Sequence, residues 1–151
     1  MATEFKSQIC TTVEQSDRLL GLGLKPETAD MHYLWAGYWH LSLEPWEHAV
    51  DDYPFDFHSE EEQEDWKLRH HPAWSLHRLI EMMPSPIKCR NGYDYANLSV
   101  NTELVQYRYY DTDYMHDECY EHFNDGNVYD NIIDCIEWLI KEGYFNKEYL
   151  V

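Results

Sequence analysis

The segment that decides the fold runs from residue 128 to residue 142 and reads VYDNIIDCIEWLIKE. Its apolar side chains recur every three or four positions, which is the period of an amphipathic helix. The members of this stripe are Val128, Ile132, Ile133, Ile136, Leu139 and Ile140. Lys141 in the last turn and Gly143 just after it are typical of a helix C-terminus. We therefore expect a closing helix with one broad face in a core, and Tyr144 and Phe145 folded back onto it.

Two strands are predicted directly upstream of this helix. The segments Tyr93–Val100 and Glu103–Tyr110 follow the turn signal Asn91-Gly92 and are separated by Asn101-Thr102. Side chains in the second segment alternate in character, which is the period of a strand. A tight turn between two such segments predicts an antiparallel hairpin.

The N-terminal part of the chain predicts one helix and one strand. Thr12 precedes the helical segment Val13–Leu20, and Gln15 stands three residues after it, as in a capping box. From Met31 to Leu43 every second residue is apolar or aromatic, except for Gly37, which predicts one half-buried strand with a bend at that glycine.

The least regular stretch is an acidic excursion at about residues 44–71. Within it, Ser59 and the acidic residues after it predict a short helix over Ser59–Arg69. Pro72 then fits the first position of a further helix that ends at Met83, before Pro84. The order of elements predicts an α+β fold, with helices packed on a small antiparallel sheet in a single domain over residues 1–151.

Three phrases of the sequence resemble a group of small uncharacterised proteins from gut bacteria, their phages and mobile elements. The phrases are Glu14–Met31, Pro72–Leu76 with Leu79 and Pro84, and Ile136–Tyr144. Their residues are those that pack a core or cap a helix. The resemblance therefore implies a phage or mobile-element origin and supports the fold, and it implies no function and no site residues.

The charge of the chain points to a partner. It carries 29 Asp and Glu against 11 Lys and Arg, for a net charge of −18. Two stretches hold most of the acids without any Lys or Arg: twelve carboxylates lie between Lys25 and Lys67, and nine between Arg108 and Lys141. Such carboxylates repel one another unless a basic partner or a cation relieves them.

We therefore predict a non-enzymatic binding protein whose acidic surface engages a basic surface of another protein. By mimicking a nucleic acid, it would modulate or inhibit a nucleic-acid-binding host protein. The predicted partner-binding residues are Glu60, Glu61, Glu62, Glu64, Asp65, Asp111, Asp113, Asp117 and Glu118. The alternatives are a small-molecule (nucleotide) or metal-binding protein or enzyme, and a structural or assembly protein of a mobile element.

No catalytic residue is predicted. The pair His70-His71 adjoins Asp65, but Ser75 is expected inside a helix and not on an exposed elbow, so both histidines are interpreted as capping or surface residues. Gly21 and Gly23 lack the third glycine of a phosphate loop. His116, Cys119 and His122 are weak candidates for a metal site, since their spacing matches none; the segment Asp111–His122 is interpreted as a solvated acidic loop. No cofactor is predicted.

Direct nucleic-acid binding and membrane insertion are not expected. Phosphate binding needs cations, and few lie in the central part of the chain. No apolar run approaches the length of a membrane span. The N-terminal residues also lack the pattern of a signal peptide, so a cytoplasmic location is expected. The four cysteines are widely scattered with no C-x-x-C pair, so no zinc or redox motif is visible, and they are interpreted as reduced, mostly buried thiols. An apolar content of 44%, with 16% aromatic residues, argues against disorder despite the charge.

Overall fold

The computed structural model describes residues 7–35, 37–48 and 59–151. The chain divides into two compact units, Met1–Arg78 and Leu79–Val151. Helices and antiparallel sheets make up the fold, so the predicted α+β class is confirmed. The prediction of a single domain stays a prediction. Within the described ranges, each helix is too short or too polar to cross a bilayer.

The first unit is built on a three-stranded antiparallel sheet. Its strands are β1 (Met31–Trp35), β2 (Trp39–Ser42) and β3 (His70–Ala73), in the order β2-β1-β3. Helix α1 (Val13–Gly21) precedes β1, with a 3-10 turn at Pro26–Thr28 between them, and helix α2 (Glu60–Leu68) precedes β3. The boundary between the units falls inside helix α3 (Leu76–Met82).

Helix α1 begins where its sequence predicts. Thr12 Oγ1 accepts the N–H of Gln15 at 3.1 Å, and Gln15 Oε1 accepts the N–H of Thr12 at 3.0 Å. This reciprocal pair is a capping box and satisfies two backbone donors at the helix N-terminus. Leu19 and Ser16 are buried beneath the helix. The predicted first helix is therefore confirmed.

The prediction of one continuous strand over Met31–Leu43 is wrong. The segment forms a hairpin in which β1 and β2 pair antiparallel and Trp35 lies opposite Trp39. Gly37 sits between the strands with φ of +82°, a conformation that glycine adopts without strain. Because Trp35 and Trp39 are four positions apart, the alternation of side chains continues unbroken through the turn, and the sequence pattern looks like a single strand.

The prediction that Pro72 starts a helix is also wrong. Pro72 lies in β3 and pairs with His32 of β1. Since β3 is an edge strand, the missing N–H of proline can face away from the ladder. Helix α3 begins only at Leu76, and Ser75 Oγ accepts the N–H of Arg78 at 3.1 Å in its first turn.

The acidic excursion is described in part. Its predicted helix is confirmed as α2, and Ser59 Oγ accepts the N–H of Glu62 at 3.2 Å. At its start, His32 Nδ1 donates to the carbonyl of Glu44 at 2.8 Å, and Trp46 Nε1 donates to the carbonyl of His70 at 3.0 Å. Residues 49–58 lie outside the described ranges.

The second unit is built on a four-stranded antiparallel sheet in the order β4-β5-β6-β7. The strands are β4 (Ile87–Lys88), β5 (Tyr95–Val100), β6 (Val105–Asp111) and β7 (His116–Phe123). The predicted hairpin is confirmed by the pairing of β5 with β6, where Leu98 lies opposite Tyr107. The register of β6 with β7 shifts between Tyr107 and Arg108, which marks a β-bulge.

Helix α4 (Val128–Lys141) packs on β6 and β7 and confirms the predicted closing helix. Asn127 Oδ1 caps it by accepting the N–H of Asp130 at 2.9 Å. The buried members of the predicted stripe are Ile132, Ile133, Ile136 and Leu139, all with no exposed surface. Gly143 has φ of +80° after the helix, and the N–H groups of Tyr144 and Phe145 both donate to the carbonyl of Leu139, so the chain folds back as expected.

An aromatic cluster covers the helix-facing side of this sheet. Trp138 of α4 is half-buried, and four rings have centroids within 5.6–6.1 Å of its ring: those of Tyr107, Tyr120, Phe123 and Tyr144. The Tyr144 hydroxyl donates to the carbonyl of Lys88 at 2.9 Å. Burial and a hydrogen bond with Tyr120 raise the pKa of Tyr144 to about 12.

All four cysteines are free thiols, and three of them are buried: Cys10, Cys89 and Cys135. Burial raises the pKa of Cys135 to about 12. The fourth, Cys119, is exposed on β7. The prediction that the thiols are mostly buried is therefore confirmed, and their reduced state stays a prediction.

Candidate functional site

The predicted partner-binding carboxylates occupy two separate elements, one in each unit. Glu60, Glu61, Glu62, Glu64 and Asp65 belong to α2 in the first unit. Asp111, Asp113, Asp117 and Glu118 belong to the β6–β7 hairpin in the second. Each group forms its own surface, and the two differ in what accompanies the charge.

The α2 group has the character of a solvated helix face. Three of its glutamates lie in the first turn, where the positive end of the helix dipole stabilises them. Four of the five side chains are exposed, and Glu62 is half-buried. A small groove beside them, lined by Glu62, Asp65, Trp66 and Arg69, brings one cation close to the acids.

The interpretation of Asp111–His122 as a loop is wrong, because most of this segment forms β7. Asp111 lies opposite His116 and Tyr110 opposite Asp117, so the hairpin reverses over residues 112–115. The side chains of β7 are mostly polar, which hides the strand from a search for apolar alternation. The strand is recognisable only through its pairing with β6.

The turn of this hairpin is held by Asp111 and Met115. Asp111 Oδ1 accepts the N–H groups of Asp113 at 2.9 Å and Tyr114 at 3.1 Å. Met115 adopts φ of +56°, which is uncommon for a residue other than glycine. We call residues 111–118 the acidic tip. Asp111 shapes its backbone, which leaves Asp113 and Asp117 as the exposed carboxylates that can face a partner.

Two large side chains project from the acidic tip. Tyr114 is 77% exposed and Met115 is 75% exposed. Tyr93 lies beside them, and its hydroxyl donates to Asp113 Oδ2 at 2.9 Å. Neither Tyr114 nor Met115 is among the partner-binding residues predicted from the sequence, which are all carboxylates. The available signal was a tyrosine and a methionine placed between aspartates in a short turn.

Glu118 differs from the other carboxylates of the tip because its partner is a histidine, which can carry a positive charge. His116 Nε2 lies 2.5 Å from Glu118 Oε1. That hydrogen bond, with a second one to the Tyr114 carbonyl, raises the pKa of His116 above its ordinary value. Likewise, the hydrogen bond to Asp113 raises the pKa of Tyr93. His116 therefore offsets the charge of Glu118 when it is protonated. Among the described residues, Asp117 forms no such ion pair.

The weak metal candidates are not brought together. His116 lies opposite Asp111, Cys119 opposite Arg108, and His122 opposite Gln106, so they are spread along β7. Although Cys119 is exposed, partial desolvation of its thiol by neighbouring side chains raises its pKa, which disfavours the thiolate that a metal would need. Among the residues that the structure describes, no three His, Cys, Asp or Glu side chains cluster as metal ligands.

The interpretation of His70 and His71 as capping or surface residues is only partly right: His70 is not on the surface, but it does bond a carbonyl in the last turn of α2, as a C-terminal cap would. Both lie in β3, where His70 is buried and donates from Nδ1 to the carbonyl of Trp66 at 2.6 Å. His71 Nε2 lies 2.6 Å from Asp17 Oδ1, not beside Asp65. Ser75 Oγ donates to Asp30 at 2.5 Å and accepts the N–H of Arg78 at the start of α3. Both contacts give the Ser75 hydroxyl a structural role. The histidine–carboxylate pair therefore has no serine nucleophile at Ser75.

A second exposed surface was missed in the first unit. Its large apolar side chains lie on or beside the β1–β2 hairpin and are Trp35, Tyr38, Trp39, Leu41 and Leu43. The rings of Trp35 and Trp39 have centroids 5.2 Å apart, in an edge-to-face arrangement. All of these except Tyr38 belong to the alternating apolar set that predicted a half-buried strand, and in the structure they are exposed.

The sequence matches no protein-family model, and no curated protein or solved structure shows significant similarity to it. Function is therefore inferred from the surface chemistry alone.

Proposed function

We propose that this chain is a non-enzymatic binding protein that engages a basic surface of another protein through the acidic tip. The observation that carries the proposal is the exposure of Tyr114 and Met115 at a turn flanked by Asp113 and Asp117. Large apolar side chains that bury in a partner's pocket supply much of the binding energy at protein interfaces. Carboxylates around them select a cationic partner and speed its approach.

The tip is favoured over α2 because it combines charge with apolar anchors. The carboxylates of α2 stand on an exposed helix face with Arg69 close to two of them. Charge alone contributes little to affinity when both partners stay solvated. We assign α2 a supporting part, in which its charge adds to the long-range attraction of a basic partner.

A basic protein that normally binds nucleic acid is the partner class that we propose. No Lys or Arg lies between Arg108 and Lys141, so nine consecutive charged residues in that stretch are acidic, as successive phosphates are. With the phage or mobile-element origin that the sequence resemblance implies, the protein would act as a modulator or inhibitor of such a host protein in the cytoplasm.

Capture of basic proteins by matched variants tests this proposal. The variant Asp113→Asn with Asp117→Asn removes two charges from the tip, and Tyr114→Ala removes an anchor. The control Glu103→Gln with Glu148→Gln removes two exposed charges elsewhere in the second unit. We expect nucleic-acid-binding proteins to be captured from a nuclease-treated bacterial lysate by the wild type and the control, and less by either tip variant. Added double-stranded DNA should compete. Equal capture by all four proteins would contradict the proposal.

A further inference from the structure

Within the described part of the chain, β7 is a long edge strand that pairs on one side only. In the order β4-β5-β6-β7 it is the last strand among the described residues, and it is eight residues long. The opposite edge strand, β4, has only two residues. An edge strand presents backbone N–H and C=O groups that can pair with another chain, and short edges are one of the ways in which proteins avoid this. Strand β4 is too short to pair readily with another chain, whereas β7 is long enough to do so.

The charge of β7 selects what can pair with it. Asp117, Glu118 and Glu121 lie on this strand, which contains no Lys or Arg. A second copy of the chain would set carboxylates against carboxylates, and like charges on adjacent strands are destabilising. An extended segment with Lys or Arg at alternate positions would instead gain opposite-charge pairs across the strands.

One amide of this edge is satisfied by a side chain. The N–H of His122 donates to Glu121 Oε1 at 3.0 Å. The carboxylate of Glu121 thus accepts the hydrogen bond that, in a longer sheet, a backbone carbonyl of the next strand would accept. The edge amide is thus covered by a flexible side chain that can move aside.

A groove lies at the C-terminal end of β7. It has a volume of about 470 Å³ and is lined by Phe123 of β7, by Asp125, and by Asp134, Glu137, Trp138 and Lys141 of α4. The rings of Phe123 and Trp138 have centroids 6.1 Å apart. Lys141 places one ammonium group in this lining, against the three carboxylates of Asp125, Asp134 and Glu137, so the groove stays acidic overall. Aromatic faces with an excess of carboxylates suit a further ammonium or guanidinium group, which is attracted to both.

We propose that β7 binds an extended cationic segment of a partner protein by strand addition, with one Lys or Arg side chain of that segment in the groove beside Trp138. The inference rests on the proposed function and names how the basic partner would be held. Main-chain hydrogen bonds along β7 supply affinity in this mode of recognition, and alternate side chains supply specificity.

Two peptides of equal charge test strand addition directly. The first is an octapeptide of alternating Lys and Val, and the second has the same sequence with methyl groups on its backbone nitrogens. Methylation keeps every charge and side chain but removes the donors. We expect the second peptide to bind about tenfold more weakly or worse, since several backbone hydrogen bonds are lost. The first should also slow hydrogen exchange along β7, at His122 in particular.

Equal affinity for both peptides, or unchanged exchange at His122, would overturn strand addition and leave the proposed function standing. Conversely, tip variants that capture basic proteins as well as the wild type would contradict the proposed function. The double variant Asp134→Asn, Glu137→Gln tests the groove and should weaken binding of the first peptide. The control Glu103→Gln, Glu148→Gln removes the same number of charges elsewhere and should leave that binding unchanged. Equal weakening by both double variants would show that the groove does not bind a side chain of the peptide.

Discussion

His116 and Glu118 form a close pair on the exposed strand β7, with His116 Nε2 2.5 Å from Glu118 Oε1. The contact favours the protonated imidazole, so the pKa of His116 lies above the usual value of about 6.5. Nuclear magnetic resonance titration should show this, and Glu118→Gln should bring the pKa of His116 down. An unchanged pKa in Glu118→Gln would show that the pair does not form in solution.

The same pair makes a small part of the stability depend on pH. Because the folded pKa of His116 is raised, its contribution is fully present below the unfolded value of about 6.5 and is lost as pH rises through the folded value. Compared with Glu118→Gln, the wild type should therefore lose more stability as the pH rises from about 6.5 through the folded pKa of His116. Parallel pH profiles in chemical denaturation would contradict this.

Leu139 should be among the residues most important for the stability of the second unit. Its side chain has no exposed surface in the packing of α4 on the sheet. Leu139→Ala should lower the free energy of unfolding by about 2–5 kcal/mol through lost burial and a cavity. The matched control is Val151→Ala, whose side chain is 94% exposed and which should change it by less than about 0.5 kcal/mol. A similar loss for both variants would place Leu139 outside the core.

Neutralising the α2 surface should leave folding intact or improve it. Glu60→Gln, Glu61→Gln, Glu62→Gln and Glu64→Gln together remove four charges from a chain with a net charge of −18. Self-repulsion falls with net charge, although the first-turn glutamates also lose their favourable position at the helix N-terminus. We expect an unchanged or higher melting temperature, and a smaller rise of that temperature with added salt than in the wild type. A variant that melts well below the wild type would show that these glutamates stabilise α2 more than they repel one another.

The elements that the sequence predicted well are those specified by near neighbours. Helix α1 depends on the Thr12–Gln15 capping box, and α4 on a stripe of apolar residues and the glycine after it. Both kinds of signal lie within a few turns of the helix that they define. For this reason their bounds could be read within one or two residues.

The elements that were missed depend on partners distant in sequence. Pro72 fits the start of a helix locally, but it pairs with His32, forty residues earlier. Strand β7 has few apolar residues and exists through its ladder with β6. The acidic groups were found from charge alone, whereas the exposure of Tyr114 and Met115 follows from the turn that Asp111 holds. Tertiary pairing overrides local propensity at such positions.

The central claim is that a basic partner is attracted and held by the acidic tip. The most direct measurement is the association rate of a captured partner with the wild type and with Asp113→Asn, Asp117→Asn, as a function of salt. We expect the wild-type rate to fall steeply as salt approaches physiological strength, where the Debye length is about 8 Å, and the variant to start lower and fall less. Rates that are the same for both proteins and independent of salt would contradict the claim.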